Sequence, residues 1–404
     1  MTALESLPNF MAFPKAQRMT TQPAASAITQ QCTRCVMDTT DPEIAFDAAG
    51  LCSHCHKFDD FWRPRWFPNA EGLVKLDAML AAVREAGKGK EYDCVIGLSG
   101  GIDSAYLAYK AREWRLRPLV VHVDCGWNSE LAVHNIEQIV KQCGYDLHTV
   151  VVDWEEVKDL QLAFLRSGVA NQDVVQDNAF FAALYSTAIK HGIKTVISGG
   201  NIATEAVFPK AWLGDNMDRK NILAIHKRFG TGKLRNYPTV SFFNYYIGFP
   251  FIHGMRVIRP LNYMPYDKNA ALRELVERVG YKEYGRKHGE SVFTKFFQNY
   301  YLPTRWNMDK RRPHYASQIC SGQLTRAQAV QALAEPLYDP RELDMDKEYF
   351  CKKLSLTREQ FDALLEAPKH DWRDYPNNEA LYLKLKRVQS FIERLLGRGV
   401  KIYS

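Results

Sequence analysis

The stretch Asp93-Cys-Val-Ile-Gly-Leu-Ser-Gly-Gly-Ile-Asp-Ser-Ala-Tyr-Leu-Ala108 predicts a strand, a tight loop and the start of a helix. The apolar run from Val95 to Leu98 is typical of a buried parallel strand. Two glycines let backbone N–H groups approach an anion, and a helix N-terminus favours negative charge at the same place. The stretch therefore predicts a phosphate-binding loop.

The loop spacing Ser-Gly-Gly-x-Asp-Ser matches neither the Walker A pattern nor Gly-x-Gly-x-x-Gly. It resembles the pyrophosphate loop of the PP-loop (N-type) ATP pyrophosphatase superfamily. Those enzymes cleave ATP between the α and β phosphates and adenylate a substrate oxygen. The resemblance implies an ATP site at Leu98, Ser99, Gly100, Gly101, Asp103 and Ser104. Asp103 is also a candidate catalytic residue, because its carboxylate is suited to hold Mg²⁺ on the phosphates.

Strands and helices are predicted to alternate after Glu91. The strands are predicted at Cys94–Leu98, Leu119–Val123, His148–Val152 and Thr195–Ser198, with amphipathic helices between them. This alternation predicts an α/β fold with a doubly wound parallel sheet. Ligands of such sheets bind at the carboxyl ends of the strands, so Gly199, Gly200 and Asn201 join the ATP site.

The end of the second strand lines the adenine pocket in PP-loop enzymes. By resemblance, His122, Val123 and Asp124 are therefore candidate ATP-binding residues. An alternative for Asp124 is a local capping or solvated role.

Two Cys-x-x-Cys pairs precede this domain. Cys32, Cys35, Cys52 and Cys55 have the spacing of four thiolates around one ion, for which structural Zn²⁺ is favoured and an iron–sulfur centre is the alternative. His54 and His56 are alternative ligands. No open coordination position is implied, so we interpret the site as a structural zinc ribbon.

We predict five segments along the 404 residues. They are an unstructured leader over 1–30, the zinc ribbon over 31–60, a helical connector over 61–90, the PP-loop domain over 91–265 and a mostly helical C-terminal region over 266–404.

The composition of the sequence limits the classes of protein to which this chain is expected to belong. There is no run of eighteen apolar residues and no signal peptide, so we expect neither an integral membrane protein nor a secreted one. Nine cysteines, four of them clustered, suit metal binding and free thiols in the reducing cytoplasm. Residues 210–315 hold 20 basic and 8 acidic residues, which favours a polyanionic substrate such as a nucleotide sugar, a lipid diphosphate or nucleic acid.

A basic cluster lies within this part of the chain. Arg286, His288 and Glu290 are candidate substrate- or phosphate-binding residues, and Lys287 or Lys295 is a candidate catalytic cation for the leaving pyrophosphate. The alternative is a solvated basic turn before a helix.

Three motifs together resemble the N-acetyl sugar amidotransferase family of bacterial surface-polysaccharide and flagellin-sugar pathways. They are the ribbon Cys32-x-Arg-Cys-Val-Met-Asp-Thr39, the loop Leu98–Ser104, and the distal stretch Arg286–Pro303. The resemblance implies that ATP adenylates the acetamido oxygen of a sugar and that ammonia then displaces AMP to leave an acetamidino group. The sugar donor would be free, nucleotide-linked or lipid-linked.

The source of ammonia is predicted to be a separate protein. Thr2 rather than cysteine follows the initiator Met, and the sequence has no Gly-x-Cys-x-Gly elbow, so we expect no glutaminase in this chain. By resemblance, the partners would be similar to the glutaminase and cyclase subunits of imidazole glycerol phosphate synthase.

The main alternative is a PP-loop enzyme that thiolates tRNA. It would share the loop, the metal-binding cysteines and the basic region. Such an enzyme usually needs a reactive cysteine or a cluster near the loop, and the remaining cysteines include no Cys-x-x-Cys pair there. We therefore expect no stable nucleic-acid partner.

Overall fold

Five short parallel strands form one sheet at the centre of the chain. The computed structural model describes residues 30–284 and 289–396, and side chains as far as residue 388. The strands are β1 (Cys94–Gly97), β2 (Pro118–Asp124), β3 (Asp146–Val151), β4 (Thr195–Ile197) and β5 (Arg256–Ile258). Their order across the sheet is β3-β2-β1-β4-β5, and every neighbouring pair is parallel.

The strand order reverses between β1 and β4. The chain moves outward from β1 through β2 to β3, then returns to the other side of β1 with β4. In open α/β sheets this reversal opens a crevice at the carboxyl ends of the strands, which is where ligands bind. The crevice here lies between the loop after β1 and the loop after β4.

Seven helices lie after β1 and between or after the later strands, from Ile102 to Phe229. They are α3 (Ile102–Glu113), α4 (Glu130–Cys143), α5 (Trp154–Ser167), α6 (Val174–Lys190), α7 (Ile202–Glu205), α8 (Lys210–Leu213) and α9 (Arg219–Phe229). They are preceded by α1 (Ser53–Lys57) and α2 (Ala70–Ala86).

Helices cover both faces of the sheet. Val95 of β1 belongs to the apolar core that contains α5 and α6, whereas the next residue, Ile96, belongs to the core that contains α2, α3 and α4. Successive side chains of a strand point to opposite faces, so β1 is buried on both sides. This arrangement confirms the predicted doubly wound parallel sheet.

Several elements were not predicted, among them α5, β5 and the helices α7, α8 and α9. Helix α5 begins directly after Asp153, whose carboxylate accepts hydrogen bonds from the N–H groups of Glu155 and Glu156 as a cap. Strand β5 has only three residues, and it pairs with β4 at the edge of the sheet. A three-residue strand has too short a pattern to be recognised from alternation alone.

The remainder of the described chain is mostly helical, as predicted. Its helices are α10 (Lys268–Val279), α11 (Val292–Phe296), α12 (Leu302–Trp306), α13 (Arg311–Ser321), α14 (Arg326–Ala334), α15 (Pro340–Leu354), α16 (Arg358–Glu366) and α17 (Glu379–Leu396). Wider π-type turns occur at Phe58–Trp62, Asn244–Ile252 and Phe297–Tyr301, and short 3₁₀ turns at Arg63–Arg65, Pro260–Asn262 and Trp372–Asp374. Among the described residues, no helix is both long and apolar enough to cross a bilayer.

Candidate functional site

The loop after β1 has the backbone shape that its glycines predict. Gly100 has a φ of +86°, and a Cβ there would lie 3.1 Å from backbone atoms of Ala132. Both facts make any side chain at this position strained, which favours glycine. The carbonyl of Gly100 accepts hydrogen bonds from the hydroxyls of Tyr281 and Tyr284, each at 2.8 Å.

The two predicted serines meet across this loop. The hydroxyl oxygens of Ser99 and Ser104 lie 3.2 Å apart, and the hydroxyl of Ser104 donates to the carbonyl of Gly101 at 2.9 Å. The N–H of Gly101 donates to the hydroxyl of Ser99 at 3.3 Å. The structure therefore brings the residues of the Ser-Gly-Gly-x-Asp-Ser motif together as one compact turn at the N-terminus of α3.

Asp103 links this loop to the loop after β4. Its Oδ1 accepts hydrogen bonds from the amide of Asn201 at 3.1 Å and from the hydroxyl of Tyr266. Burial, followed by the charge of Asp103, raises the pKa of Tyr266, so this tyrosine stays a neutral donor. Asn201 also caps α7 by accepting the N–H of Thr204.

Gly199 fits this contact because it has no side chain. A Cβ on Gly199 would lie 2.9 Å from the carbonyl oxygen of Asp103, closer than a carbon atom can approach. The predicted residues of the two loops are therefore in direct contact.

Glu290 reaches the site from the C-terminal half of the chain. The N–H of Ser129 donates to the carbonyl of Glu290 at 2.9 Å, and the N–H of Val292 donates to the carbonyl of Trp127 at 3.0 Å. This short antiparallel pairing, centred on a bridge between Asn128 and Ser291, fixes the segment beside the loop.

The loop opens into a cavity of about 230 Å³ at the crevice between β1 and β4. The lining comprises Ser99, Gly101, Ile102, Asp103, Ser104, Gly199, Gly200, Glu205, Lys268, Tyr284 and Glu290. Sequence reasoning missed Glu205, Lys268 and Tyr284. Each comes from a different helix or loop, and nothing in its local pattern marks it.

The residues predicted for the adenine pocket have other contacts. The Nδ1 of buried His122 lies 2.9 Å from the carbonyl of Leu98, and its Nε2 lies 3.0 Å from the amide of Asn128. The ring therefore bridges two segments, with Nδ1 placed to donate to the carbonyl of Leu98 and Nε2 placed to accept from the amide of Asn128. Asp124 accepts the N–H of Gly126, which is the local capping role considered as its alternative. Val123 is buried, and the adenine contact of these residues stays a prediction.

The distal basic cluster is only partly described. Arg286, Lys287 and His288 lie outside the described residues. Lys295 does not line the cavity; its ammonium pairs with the carboxylates of Glu342 and Asp346 at 2.9 and 2.6 Å. These partners, acting against burial, raise its pKa. The structure thus places Lys295 in a packing contact between α11 and α15.

The four ribbon cysteines converge as predicted. All four are fully buried, and their sulfur atoms lie within 4.8 Å of one another. The sulfurs of Cys32 and Cys55 are 3.8 Å apart and those of Cys35 and Cys52 are 3.6 Å apart. A tetrahedron with Zn–S bonds of about 2.3 Å has sulfurs about 3.8 Å apart, so this donor set fits one Zn²⁺ ion.

The histidines beside these cysteines have other partners. The Nε2 of His54 lies 2.7 Å from the carboxylate of Asp41, and that of His56 lies 2.9 Å from Asp47. Neither belongs to the group of ligand atoms that could surround one ion. The structure therefore favours the all-cysteine ligand set.

A fifth cysteine contacts the ribbon from the C-terminal region. The sulfur of Cys320, on α13, lies 3.8 Å from that of Cys55. Arg312 donates to the carbonyl of Val36, and Arg326 donates to that of Cys35. The ribbon is thus packed on α13 and α14, and sequence spacing could not reveal a contact across 265 residues.

This contact leads to a prediction about metal retention. Cys320→Ser should weaken metal binding by about tenfold, because groups that support metal ligands commonly contribute 10- to 100-fold. The measurement is competition with a chromogenic chelator, with Cys143→Ser, a partly buried cysteine on α4, as the matched control. Equal retention by both variants would show that Cys320 only fills space.

Comparison with known protein families identifies one family that the C-terminal region matches. Residues 290–389 match a family described as LPS biosynthesis protein WbpG-like, C-terminal domain. No curated protein matches the chain. The match confirms the resemblance to a family of surface-polysaccharide biosynthesis that the distal motif indicates.

Three solved structures are similar to this chain, each at low sequence identity and with a low TM-score. An NMN synthetase from Francisella tularensis is 14% identical, with a TM-score of 0.35, over 71% of this chain and 96% of its own. An ammonia-dependent NAD synthetase from Campylobacter jejuni is 16% identical, with a TM-score of 0.27, over 38% and 72%. A 4-thiouridine synthetase, solved with RNA and ATP, is 17% identical, with a TM-score of 0.31, over 64% and 53%.

The family match and the cavity share a residue. Glu290 is both the first residue of the matched segment and part of the cavity lining. Residues 290–389 are similar to the C-terminal domain of WbpG-like lipopolysaccharide biosynthesis proteins, and this segment contributes Glu290 to the cavity beside the loop after β1.

Proposed function

We propose that this protein is an ATP-dependent amidotransferase that converts the acetamido group of a sugar into an acetamidino group. It would act in the cytoplasm, in the biosynthesis of a surface polysaccharide such as lipopolysaccharide O-antigen, or of a flagellin sugar. The observation that carries the proposal is the position of Glu290. A segment similar to lipopolysaccharide biosynthesis proteins reaches into a cavity formed by an ATP-pyrophosphatase-like loop.

The first step would be adenylation of the amide oxygen. An amide oxygen is a weak nucleophile, so it must be held in line with the α-phosphate of ATP. The hydroxyls of Ser99 and Ser104 and the N-terminus of α3 offer donors for the phosphates at the required edge of the sheet. Asp103, Glu205 and Glu290 are the cavity carboxylates that could hold Mg²⁺, which would neutralise charge on the leaving pyrophosphate.

A cation near the loop would assist the departure of pyrophosphate. Lys268 lines the cavity, at the first position of α10. Lys287 stays a candidate from the sequence. In the second step, ammonia would attack the activated carbon, the C–O bond to AMP would break, and the acetamidine would remain on a nucleotide- or lipid-linked sugar.

Thiolation would need a reactive cysteine at the loop, and no cysteine lines the cavity among the described residues. Cys94 and Cys125 are buried in β1 and after β2, and burial raises the pKa of both thiols. A neutral buried thiol is a poor nucleophile. A third cysteine, Cys320, contacts Cys55 of the ribbon instead of the loop. These positions favour the amidotransferase.

The carboxylate of Asp103 provides the most direct test of the ATP site. Asp103→Asn should lower the release of AMP and pyrophosphate about 100-fold, as expected when a preorganised electrostatic contact is lost. The assay contains ATP, Mg²⁺, ammonium chloride and candidate nucleotide-linked N-acetyl sugars. Asp344→Asn, at an exposed position of α15, is the matched control and should keep full turnover. Unchanged turnover in Asp103→Asn would refute the proposed ATP site.

The two lysine candidates should respond differently. Lys287→Ala should reduce pyrophosphate release strongly with little loss of stability, since its proposed role is on the leaving group.

Lys295→Ala should lower the free energy of unfolding by about 3 kcal/mol, because two partly buried carboxylates lose their partner. Thermal unfolding and single-turnover assays separate the effects, with exposed Lys88→Ala as a control. Normal pyrophosphate release by Lys287→Ala would reject its role.

The nitrogen source tests the proposed partners. The purified chain should use ammonium but not glutamine, and glutamine should support turnover only after a glutaminase–cyclase pair is added. The readout is AMP formation together with the mass of the sugar product. Glutamine-driven turnover by this chain alone would contradict the need for partners.

A further inference from the structure

Two tyrosines that follow α10 share one acceptor in the loop after β1. Tyr281 and Tyr284 each donate their hydroxyl to the carbonyl oxygen of Gly100 at 2.8 Å. A carbonyl oxygen has two lone pairs, so these two donors use its full capacity. Tyr281 is only 2% exposed, and Tyr284 lines the cavity. Burial raises the pKa of both hydroxyls, that of Tyr284 to about 12, so both are protonated donors at neutral pH.

The segment that carries these tyrosines is fixed to α4. Lys282 lies between them, and its backbone makes two hydrogen bonds with the side chain of the fully buried Asn135. The amide nitrogen of Asn135 donates to the carbonyl of Lys282 at 2.9 Å, and its oxygen accepts the N–H of Lys282 at 2.8 Å. The two tyrosine rings also meet edge to face, with centroids 6.0 Å apart. The hydroxyls are therefore presented to the loop from a packed and hydrogen-bonded support.

The direction of the Gly100 carbonyl decides the direction of the next N–H. In a trans peptide the C=O and the following N–H point in opposite directions, and the described chain has no cis peptide. With its carbonyl on the tyrosines, this peptide directs the N–H of Gly101 away from them, and the N–H donates to the hydroxyl of Ser99 at 3.3 Å. Gly101 and Ser99 both line the cavity. The tyrosines therefore set the positive end of this peptide dipole toward the side where an anion would bind.

Glycine makes the same peptide easy to rotate. Gly100 has a φ of +86°, and glycine adopts positive and negative φ about equally well. A rotated peptide would turn the negative end of the carbonyl toward the cavity, where it would repel a phosphate group. Rotation would also leave the buried hydroxyl of Tyr281 without its acceptor, which is unfavourable. The two hydrogen bonds thus oppose a motion that the glycine by itself permits.

We propose that Tyr281 and Tyr284 are positioning residues that hold the Gly100–Gly101 peptide in the orientation that accepts the pyrophosphate part of ATP. This inference rests on the proposed function for the identity of the ligand. Tyr281 does not line the cavity, so its effect is transmitted through the backbone of the loop. Tyr284 combines the same hydrogen bond with a place in the cavity lining, which makes Tyr281 the cleaner of the two to test.

Pyrophosphate binding tests the positioning role. Tyr281→Phe and Tyr284→Phe should each raise the Kd of magnesium pyrophosphate about 3- to 10-fold, as expected when one hydrogen bond is lost, and the double variant about 10- to 100-fold. The measurement is isothermal titration calorimetry. Tyr145→Phe is the matched control, because its hydroxyl donates to the carbonyl of Ala108 in α3 at 2.9 Å without lining the cavity.

The control separates positioning from a general structural role. All three single variants should lose a similar amount of Tm, but only the variants at 281 and 284 should bind pyrophosphate more weakly. In turnover assays these two variants should raise the KM for ATP by the same factor and leave the KM for ammonium within about twofold. Equal pyrophosphate affinity in Tyr281→Phe and Tyr145→Phe would overturn the inference.

The binding measurement also separates this inference from the proposed function. If the wild type binds pyrophosphate and Tyr281→Phe weakens that binding, but no sugar is turned over, the proposed function fails and the positioning role stands. If the wild type converts a sugar while the tyrosine variants keep its pyrophosphate affinity and its KM for ATP, the positioning role alone fails. A wild type that binds neither ATP nor pyrophosphate would overturn the positioning role as well.

Discussion

The close approach of two backbone segments at the strand reversal constrains the whole site. The end of β4 passes so near the N-terminus of α3 that a Cβ on Gly199 would meet the carbonyl of Asp103 at 2.9 Å. This contact exists because β1 and β4 are adjacent parallel strands, so the segments that follow them both begin at the same edge of the sheet. It places Asp103, at the N-terminus of α3, and Gly199 together on one wall of the cavity, and the other lining residues are arranged around that wall.

The C-terminal half completes this wall rather than forming a separate body. Residues on either side of Asn128 pair with those beside Ser291, and this pairing carries Glu290 to the loop. The helix that follows then supplies Thr294 to Asp173. One short stretch therefore connects the cavity beside the loop after β1 with the N-terminus of α6.

The ribbon supports the same edge from outside. Cys55 contacts Cys320 on α13, and Ser321 at the end of that helix donates its hydroxyl to the carbonyl of Ala203 in α7. Helix α7 begins directly after Asn201, so the ribbon cysteines are connected to the loop after β4 through two helices. A structural metal at this position would stabilise the contact between the ribbon and the C-terminal helices.

The sequence by itself determined the features whose chemistry is local. The strand, loop and helix around Ser99 and the four ribbon cysteines are read from short spacings, and buried parallel strands are recognisable as continuous apolar runs. Only the tertiary structure decided which distant groups meet. Lys268 and Glu205 enter the cavity, Lys295 pairs with Glu342 and Asp346, and Cys320 contacts the ribbon. These contacts join residues far apart in the chain, and their geometry arises from how helices pack across the sheet, which no local pattern records.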